Sequence, residues 1–232
     1  MNTEKLLAAG VHAYTSLGAV LAFVAFLALR EQNVRVFLVA LWIAVIVDST
    51  DGLLARRFRV TKVLPGFNGR RLDDIIDYIT YAFLPCLGFV EFGILPGKFA
   101  FLAVLPLLAS AFGFSREQAK TEDAFVGFPS YWNLVFLYLY LLRPPTGAAI
   151  GVLMVLSILV FVPTQYLYPT RTQRLRRVNL VLAGLYLAVI GYLSLFPDSR
   201  EAGTIAWLSL VYPFYYMAVS LSRPRKQIDH GL

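Results

Sequence analysis

The sequence predicts an all-α integral membrane protein, with about eight transmembrane helices in one bundle and both termini cytoplasmic. Three observations carry this. The 232 residues are 58% hydrophobic and only 15% charged, with a mean hydropathy of +0.66, too apolar for a soluble domain of this size. Apolar runs of roughly 17 to 25 residues, the length that crosses a bilayer as a helix, recur along the whole chain. The segments between them are short and carry Pro, Gly and charge, as in RPPTG from Arg143 and FPDSREAG from Phe196.

Taken in order, the first run covers residues 8 to 29. It follows one lysine and lacks a small-residue cleavage site, so it reads as a retained helix rather than a signal peptide. The amphipathic start NTEKLLAAGVHAYTSL can lie partly in the interface before entering the bilayer. Further runs lie at 34 to 57, 72 to 95, 98 to 115, 125 to 142, 146 to 168, 177 to 196 and 203 to 221. The fifth gains its apolar character only after Pro129. No tandem repeat or soluble insertion interrupts the series, so residues 1–232 form a single membrane domain.

Orientation follows from the basic residues. With eight spans, 16 of the 21 Lys and Arg fall on the side of the N-terminus, and Arg30, Arg35, Lys98, Arg143 and Arg200 fall on the other. The positive-inside rule makes the first side cytoplasmic. The net charge of +7 is thereby explained by topology and anionic headgroups, and nucleic acid is not needed as a partner. The single cysteine, Cys86, excludes an intrachain disulfide and a Cys-rich metal site. His12 and His230 stand far apart and read as incidental. No phosphate-cradling G-x4-G-K-[ST] loop is present.

The informative segment is VDSTDGLLARRFRVTKVLPGFNGRRLDDIIDYITY, which joins the second and third runs through a basic loop. Asp48 and Asp51 are three apart, and Asp73 and Asp77 four apart, so each pair projects from one face of its helix. Asp48 precedes Arg56 by about 12 Å of helix and Asp77 follows Arg71 by about 9 Å, which puts both pairs at one depth, just inside the hydrocarbon. A lone carboxylate there costs roughly 2.5–3.5 kcal/mol, and four also repel one another. Arg56, Arg57 and Arg71 sit a helical turn or more away. Hard divalent cations, Mg²⁺ or Mn²⁺, take carboxylate oxygens and leave positions open for phosphate. Gly52 and Ala55 share the face of Asp48 and Asp51 and form a small-residue groove. On physics alone a cation-coupled transporter competes, as does an Asp/Arg network holding helices together or another subunit. A transporter would need ionisable groups deeper in the later runs, which hold almost none.

These residues resemble the signature of the CDP-alcohol phosphatidyltransferase family, D-x2-D-G-x2-A-R, a spacer, then G-x3-D-x3-D. It is matched between residues 48 and 77 by Asp48, Asp51, Gly52, Ala55, Arg56, Gly69, Asp73 and Asp77. The spacer here is longer than the family's usual one. With the surrounding VLPGFNGRRLDDIIDYITYAFLP and FPSYWN segments, it resembles the bacterial branch that joins CDP-diacylglycerol to free choline. The resemblance implies an enzyme of the bacterial inner membrane, with its active site facing the cytoplasm, that works as a homodimer. It further implies two Mg²⁺ or Mn²⁺ ions held by Asp48, Asp51 and Asp73 with Asp77 beside them, Asp77 as general base, and Gly52, Ala55, Arg56 and Gly69 around the CDP moiety.

Choline is a quaternary ammonium, so its pocket should offer aromatic faces and a carboxylate. Tyr78, Tyr81, Tyr131, Trp132 and Glu122 are the candidates near the same membrane boundary. Tyr and Trp gather at interfaces in any case, and Glu122 and Asp123 also read as loop charges paired with Lys120. Serine, glycerol phosphate and inositol phosphate are the rival acceptors, the phosphorylated ones drawing on Arg116, Lys120, Arg171, Arg174 and Arg176.

Overall fold

A computed structural model describes residues 3–116, 124–167 and 176–221. The chain opens with α1 (Thr3–Arg30) and α2 (Val34–Arg57). On α1 the buried positions Ala8, Val11, Thr15, Gly18, Ala22, Ala25 and Leu29 recur every three or four residues. Most are small, so the two helix backbones approach closely. On α2 the facing stripe is Val34, Phe37, Leu41 and Ala44. The turn between them places Gln32 in the left-handed region (φ 54°), and the Asn33 side chain caps α2 by accepting from the Val36 N–H at 3.1 Å. The two helices thus run antiparallel, bringing the start of α1 beside the end of α2.

A single helical turn, α3 (Val60–Val63), follows Arg59 (φ 50°). The third span starts at Gly69 behind an Asn68 cap on the Arg71 N–H and continues without a break through α4 (Gly69–Asp77), a π-helical turn (Tyr78–Phe83) and α5 (Leu84–Glu91). Pro85 explains the widening. Its ring would clash with the carbonyl four residues back, that of Tyr81, and the Leu84 N–H reaches Ile79 O, five residues back. The fourth span begins as a 3₁₀ segment (Gly97–Ala103) and becomes α6 (Val104–Ser115).

Two expected spans are shorter than the sequence suggests. α7 covers only Trp132–Leu142 and α8 only Thr146–Phe161, where 125 to 142 and 146 to 168 were expected. At 1.5 Å per residue their 11 and 16 residues reach about 16 and 24 Å, less than the roughly 30 Å of a hydrocarbon core. Pro129, with Ser130 at φ 55°, delays the first, and Pro163 ends the second. The freed residues pair as β1 (Ala124–Val126) and β2 (Gln165–Leu167), an antiparallel ladder of three residue pairs, so the all-helical expectation holds apart from it. Gly127 (φ 86°) continues the pairing, its N–H donating to Thr164 O at 2.9 Å. A Cβ there would overlap the Val160 carbonyl.

The chain closes with α9 (Arg176–Leu195), α10 (Ala202–Ser209) and α11 (Val211–Leu221). α9 lies against α2, where the Trp42 indole rests on Gly191 and donates to Leu187 O at 2.9 Å. Among the described residues five helical stretches are long and apolar enough to cross a membrane: Thr3–Arg30, Val34–Arg57, Gly97–Ser115, Arg177–Leu195 and Ala202–Ser220. The core is aromatic at its centre. Phe37, Phe89 and Phe136 are fully buried and pack edge-on or tilted at 5.1–5.9 Å, with Gly88 beneath them. Large apolar side chains instead cover the outside, among them Phe23, Phe101, Leu108, Val181 and Phe214. Such a surface suits lipid, not water.

Candidate metal centre

The apolar stripe of α2 does not stop at Ala44. Its next two positions are Asp48 and Asp51, so two carboxylates stand where the helix period calls for core residues. On the third span the residues four apart, Asp73, Asp77 and Tyr81, form a matching row. The two rows meet. One oxygen each from Asp48, Asp73 and Asp77 lies within 4.8 Å of the others, the first two half-buried and Asp77 buried. Of the adjacent Asp73 and Asp74, Asp73 turns inward, the one whose spacing pairs it with Asp77. Asp74 turns toward its own helix face, 3.9 Å from Arg70 Nε.

Asp51 stands outside that group of three. It is buried at 7% exposure and accepts a 2.8 Å hydrogen bond from the Thr15 hydroxyl of α1. Asp48 accepts from the Tyr81 hydroxyl at 2.7 Å. Hydrogen bonds to a charged acceptor typically contribute about 1.5–3 kcal/mol. The involvement of α1 is not visible in the signature. The available signal is the polar cluster His12, Tyr14, Thr15 and Ser16 in an otherwise apolar helix.

The donor set fits a hard divalent ion. Oxygens around one Mg²⁺ at 2.0–2.1 Å stand at most about 4.2 Å apart, so small side-chain rotations close a triad already within 4.8 Å. At an effective dielectric of about 20, two carboxylates at that spacing repel by roughly 3.5 kcal/mol, and a cation among them reverses the sign. Asp48, Asp73 and Asp77 would hold such an ion, with Asp51 one helical turn along.

Around the acids, Arg56 is exposed at the end of α2, where a cation suits the helix dipole. Its guanidinium folds back over Gly52, 3.4 Å from where a Cβ would stand, with half-buried Ala55 close to the same end. At Gly69, where α4 begins, the neighbour is His12. A Cβ there would lie 2.7 Å from His12 Cε1, so the imidazole packs directly on the start of α4, its ring 4.2 Å from Phe67. His12, read from sequence as incidental, is therefore part of the wall beside the site, with its Nε2 buried and without a hydrogen-bond partner.

The aromatic candidates separate. The Tyr81 ring faces Tyr131 at 5.9 Å while its hydroxyl serves Asp48. Tyr78 points toward α6, with its hydroxyl 3.4 Å from Leu107 O and its ring edge-on to Phe114. Trp132 is fully buried, its indole N–H donating to Ser110 Oγ at 2.6 Å and its ring against Phe128. This is a core position whose polar atom is already used. Glu122, Asp123, Lys120, Arg171 and Arg174 lie outside the described residues.

Residues 12–212 match the family model described as CDP-alcohol phosphatidyltransferase. The chain is similar to a phosphatidylcholine synthase of Pseudomonas aeruginosa, with 37% identity over 97% of this chain and 94% of the relative. It is similar also to one of Agrobacterium fabrum, with 35% identity over 81% and 79% of the two chains. A third, of Legionella bozemanae, is 37% identical over 67% and 75%.

Proposed function

The chain belongs to the CDP-alcohol phosphatidyltransferase family and is a phosphatidyltransferase, and from that premise we propose that it transfers the phosphatidyl group of CDP-diacylglycerol to choline. The products are phosphatidylcholine and CMP. Family membership decides for this class over a cation-coupled transporter. The single observation that carries the mechanism is the convergence of Asp48, Asp73 and Asp77 from two helices within 4.8 Å.

The choline hydroxyl oxygen attacks the phosphorus that bears the diacylglycerol, and the bond from that phosphorus to the CMP oxygen breaks. Asp77, buried at 6% exposure, takes the hydroxyl proton. Such general-base assistance typically contributes about 10²- to 10⁴-fold. Asp48, Asp51 and Asp73, with Asp77 beside them, would hold Mg²⁺ or Mn²⁺, which would supply charge neutralisation to the pyrophosphate and to the departing CMP. Gly52, Ala55, Arg56 and Gly69 line the nucleotide side. Arg56 offers an exposed guanidinium for phosphate beside Gly52.

For the acceptor, Tyr81 and Tyr131 present two rings beside Asp48, which supports recognition of a quaternary ammonium by aromatic faces and nearby negative charge. Trp132 is left out of this pocket because its indole is committed to Ser110 and Phe128. In the membrane we read eight crossings, the shorter α7 and α8 included. Both termini and the acid cluster are then on the basic, cytoplasmic side of a bacterial inner membrane, and the family resemblance adds a homodimer.

The test is purified protein in detergent–lipid micelles with CDP-diacylglycerol, Mn²⁺ and labelled choline, serine, glycerol phosphate or inositol phosphate in turn. Label should enter lipid with choline alone, in step with CMP release. Incorporation of serine or a phosphorylated alcohol without choline overturns the acceptor and leaves the chemistry standing.

A further inference from the structure

We propose that Thr15 and Tyr81 are positioning residues of the carboxylate centre, each pinning one oxygen of an α2 aspartate so that the pair meets a divalent cation in a set orientation. The inference rests on reading the acids as a cation site. An aspartate on a helix can turn about two side-chain bonds, and Asp48 and Asp51 occupy adjacent turns of one helix end. Each is instead tied to a different neighbouring element. Thr15 comes from α1 and bonds Asp51 at 2.8 Å, and Tyr81 comes from the π-helical turn and bonds Asp48 at 2.7 Å.

The geometry favours these bonds over their local competitors. The Thr15 hydroxyl has one proton and two acceptors in reach, Asp51 Oδ2 at 2.8 Å and Val11 O at 3.3 Å. The shorter contact, to a charged oxygen, takes it. Thr15, Asp51 and Tyr81 are 8%, 7% and 6% exposed, so water competes little. One residue along, a 2.7 Å hydrogen bond joins the Tyr14 and Thr50 hydroxyls. That second link fixes the register of α1 on α2 and holds Thr15 opposite Asp51. On the other side the π-turn follows Asp77 directly and carries Tyr81. Such widened turns are frequent at functional sites.

If the hydroxyls merely satisfied buried carboxylates, removing them would cost stability and leave cation affinity unchanged. Outer-sphere partners of metal ligands behave differently, and their loss typically lowers metal affinity about 10- to 100-fold. The experiment measures Mn²⁺ binding to the full chain in lipid nanodiscs by electron paramagnetic resonance, with thermal melting recorded in parallel. Thr15→Val, nearly the same shape without the hydroxyl, and Tyr81→Phe, which loses a single oxygen, should each weaken Mn²⁺ binding by roughly 10-fold or more. Thr15→Ser should retain wild-type affinity. Wild-type affinity in both Thr15→Val and Tyr81→Phe overturns the inference while the cation site stands. Absence of Mn²⁺ binding by the wild-type protein overturns the cation reading itself. Should Thr15→Val not fold, Tyr81→Phe decides alone.

Discussion

Replacing Asp77 by Asn should have two effects of opposite sign. Oxygens of Asp48, Asp73 and Asp77 lie within 4.8 Å of one another, and at an effective dielectric of about 20 each pair repels by roughly 3.5 kcal/mol. Asp77 takes part in two of the three pairs, a gross repulsion of about 7 kcal/mol. Solvent at the half-buried Asp48 and Asp73 screens most of it, bringing each pair toward the roughly 1 kcal/mol scale of solvated charge pairs and leaving about 1–2 kcal/mol. For a chain of this size 1 kcal/mol corresponds to roughly 2–4 °C of melting temperature. In chelator, Asp77→Asn should therefore melt about 2–8 °C above wild type. In Mn²⁺ the order should shrink or reverse, because the variant offers one anionic ligand fewer, and CMP release should fall about 10²- to 10⁴-fold. Differential scanning fluorimetry with and without Mn²⁺, alongside a CMP assay, reads all three. A variant that melts below wild type in chelator refutes the repulsion argument, and undiminished CMP release removes Asp77 as the base.

Gly69→Ala would bring a methyl to 2.7 Å from His12 Cε1. It should cost about 1–3 kcal/mol by overpacking, and His12→Ala in the same chain should restore much of the loss in melting temperature. Gly88→Ala would press on Phe136 at 2.9 Å and Phe37 at 3.1 Å, so a fall in melting temperature of several degrees is expected, with the KM for choline unchanged. Trp132→Phe removes the donor to Ser110 and should lower stability by about 1–3 kcal/mol, again without moving the KM for choline, whereas Tyr131→Leu should raise that KM. Chelation should abolish turnover, and added Mg²⁺ or Mn²⁺ should return it.

Much of this site was readable before any fold was known, because helix periodicity alone puts Asp48 with Asp51 and Asp73 with Asp77. The spacing from the flanking arginines predicts a common depth for them. What periodicity does not report is which face meets which. Periodicity pairs Asp73 with Asp77, but the packing of α4 against α2 is what brings that pair to Asp48 and leaves Asp74 beside Arg70. Trp132 looked like an interfacial ring beside Tyr131, yet one residue of helical rotation carries it into the core on Ser110. The helices α7 and α8 are likewise shorter than their apolar runs. Apolar composition continues past Pro163, whereas the helix ends where the proline denies it a donor.

The amino-acid order by itself determined that the chain suits lipid, that its acids form two same-face pairs, and that hard cations and a phosphorylated ligand suit them. These are properties of single helices, which local periodicity and transfer energies specify. Tertiary packing decided that three of the carboxylates share one centre while Asp51 leans on Thr15. It also placed His12 on Gly69 and set Tyr81 between Asp48 and Tyr131. Those relations depend on how closely α1, α2 and the third span approach. The small residues of α1 and the widened turn ahead of Pro85 control that distance, through contacts between residues far apart in the chain.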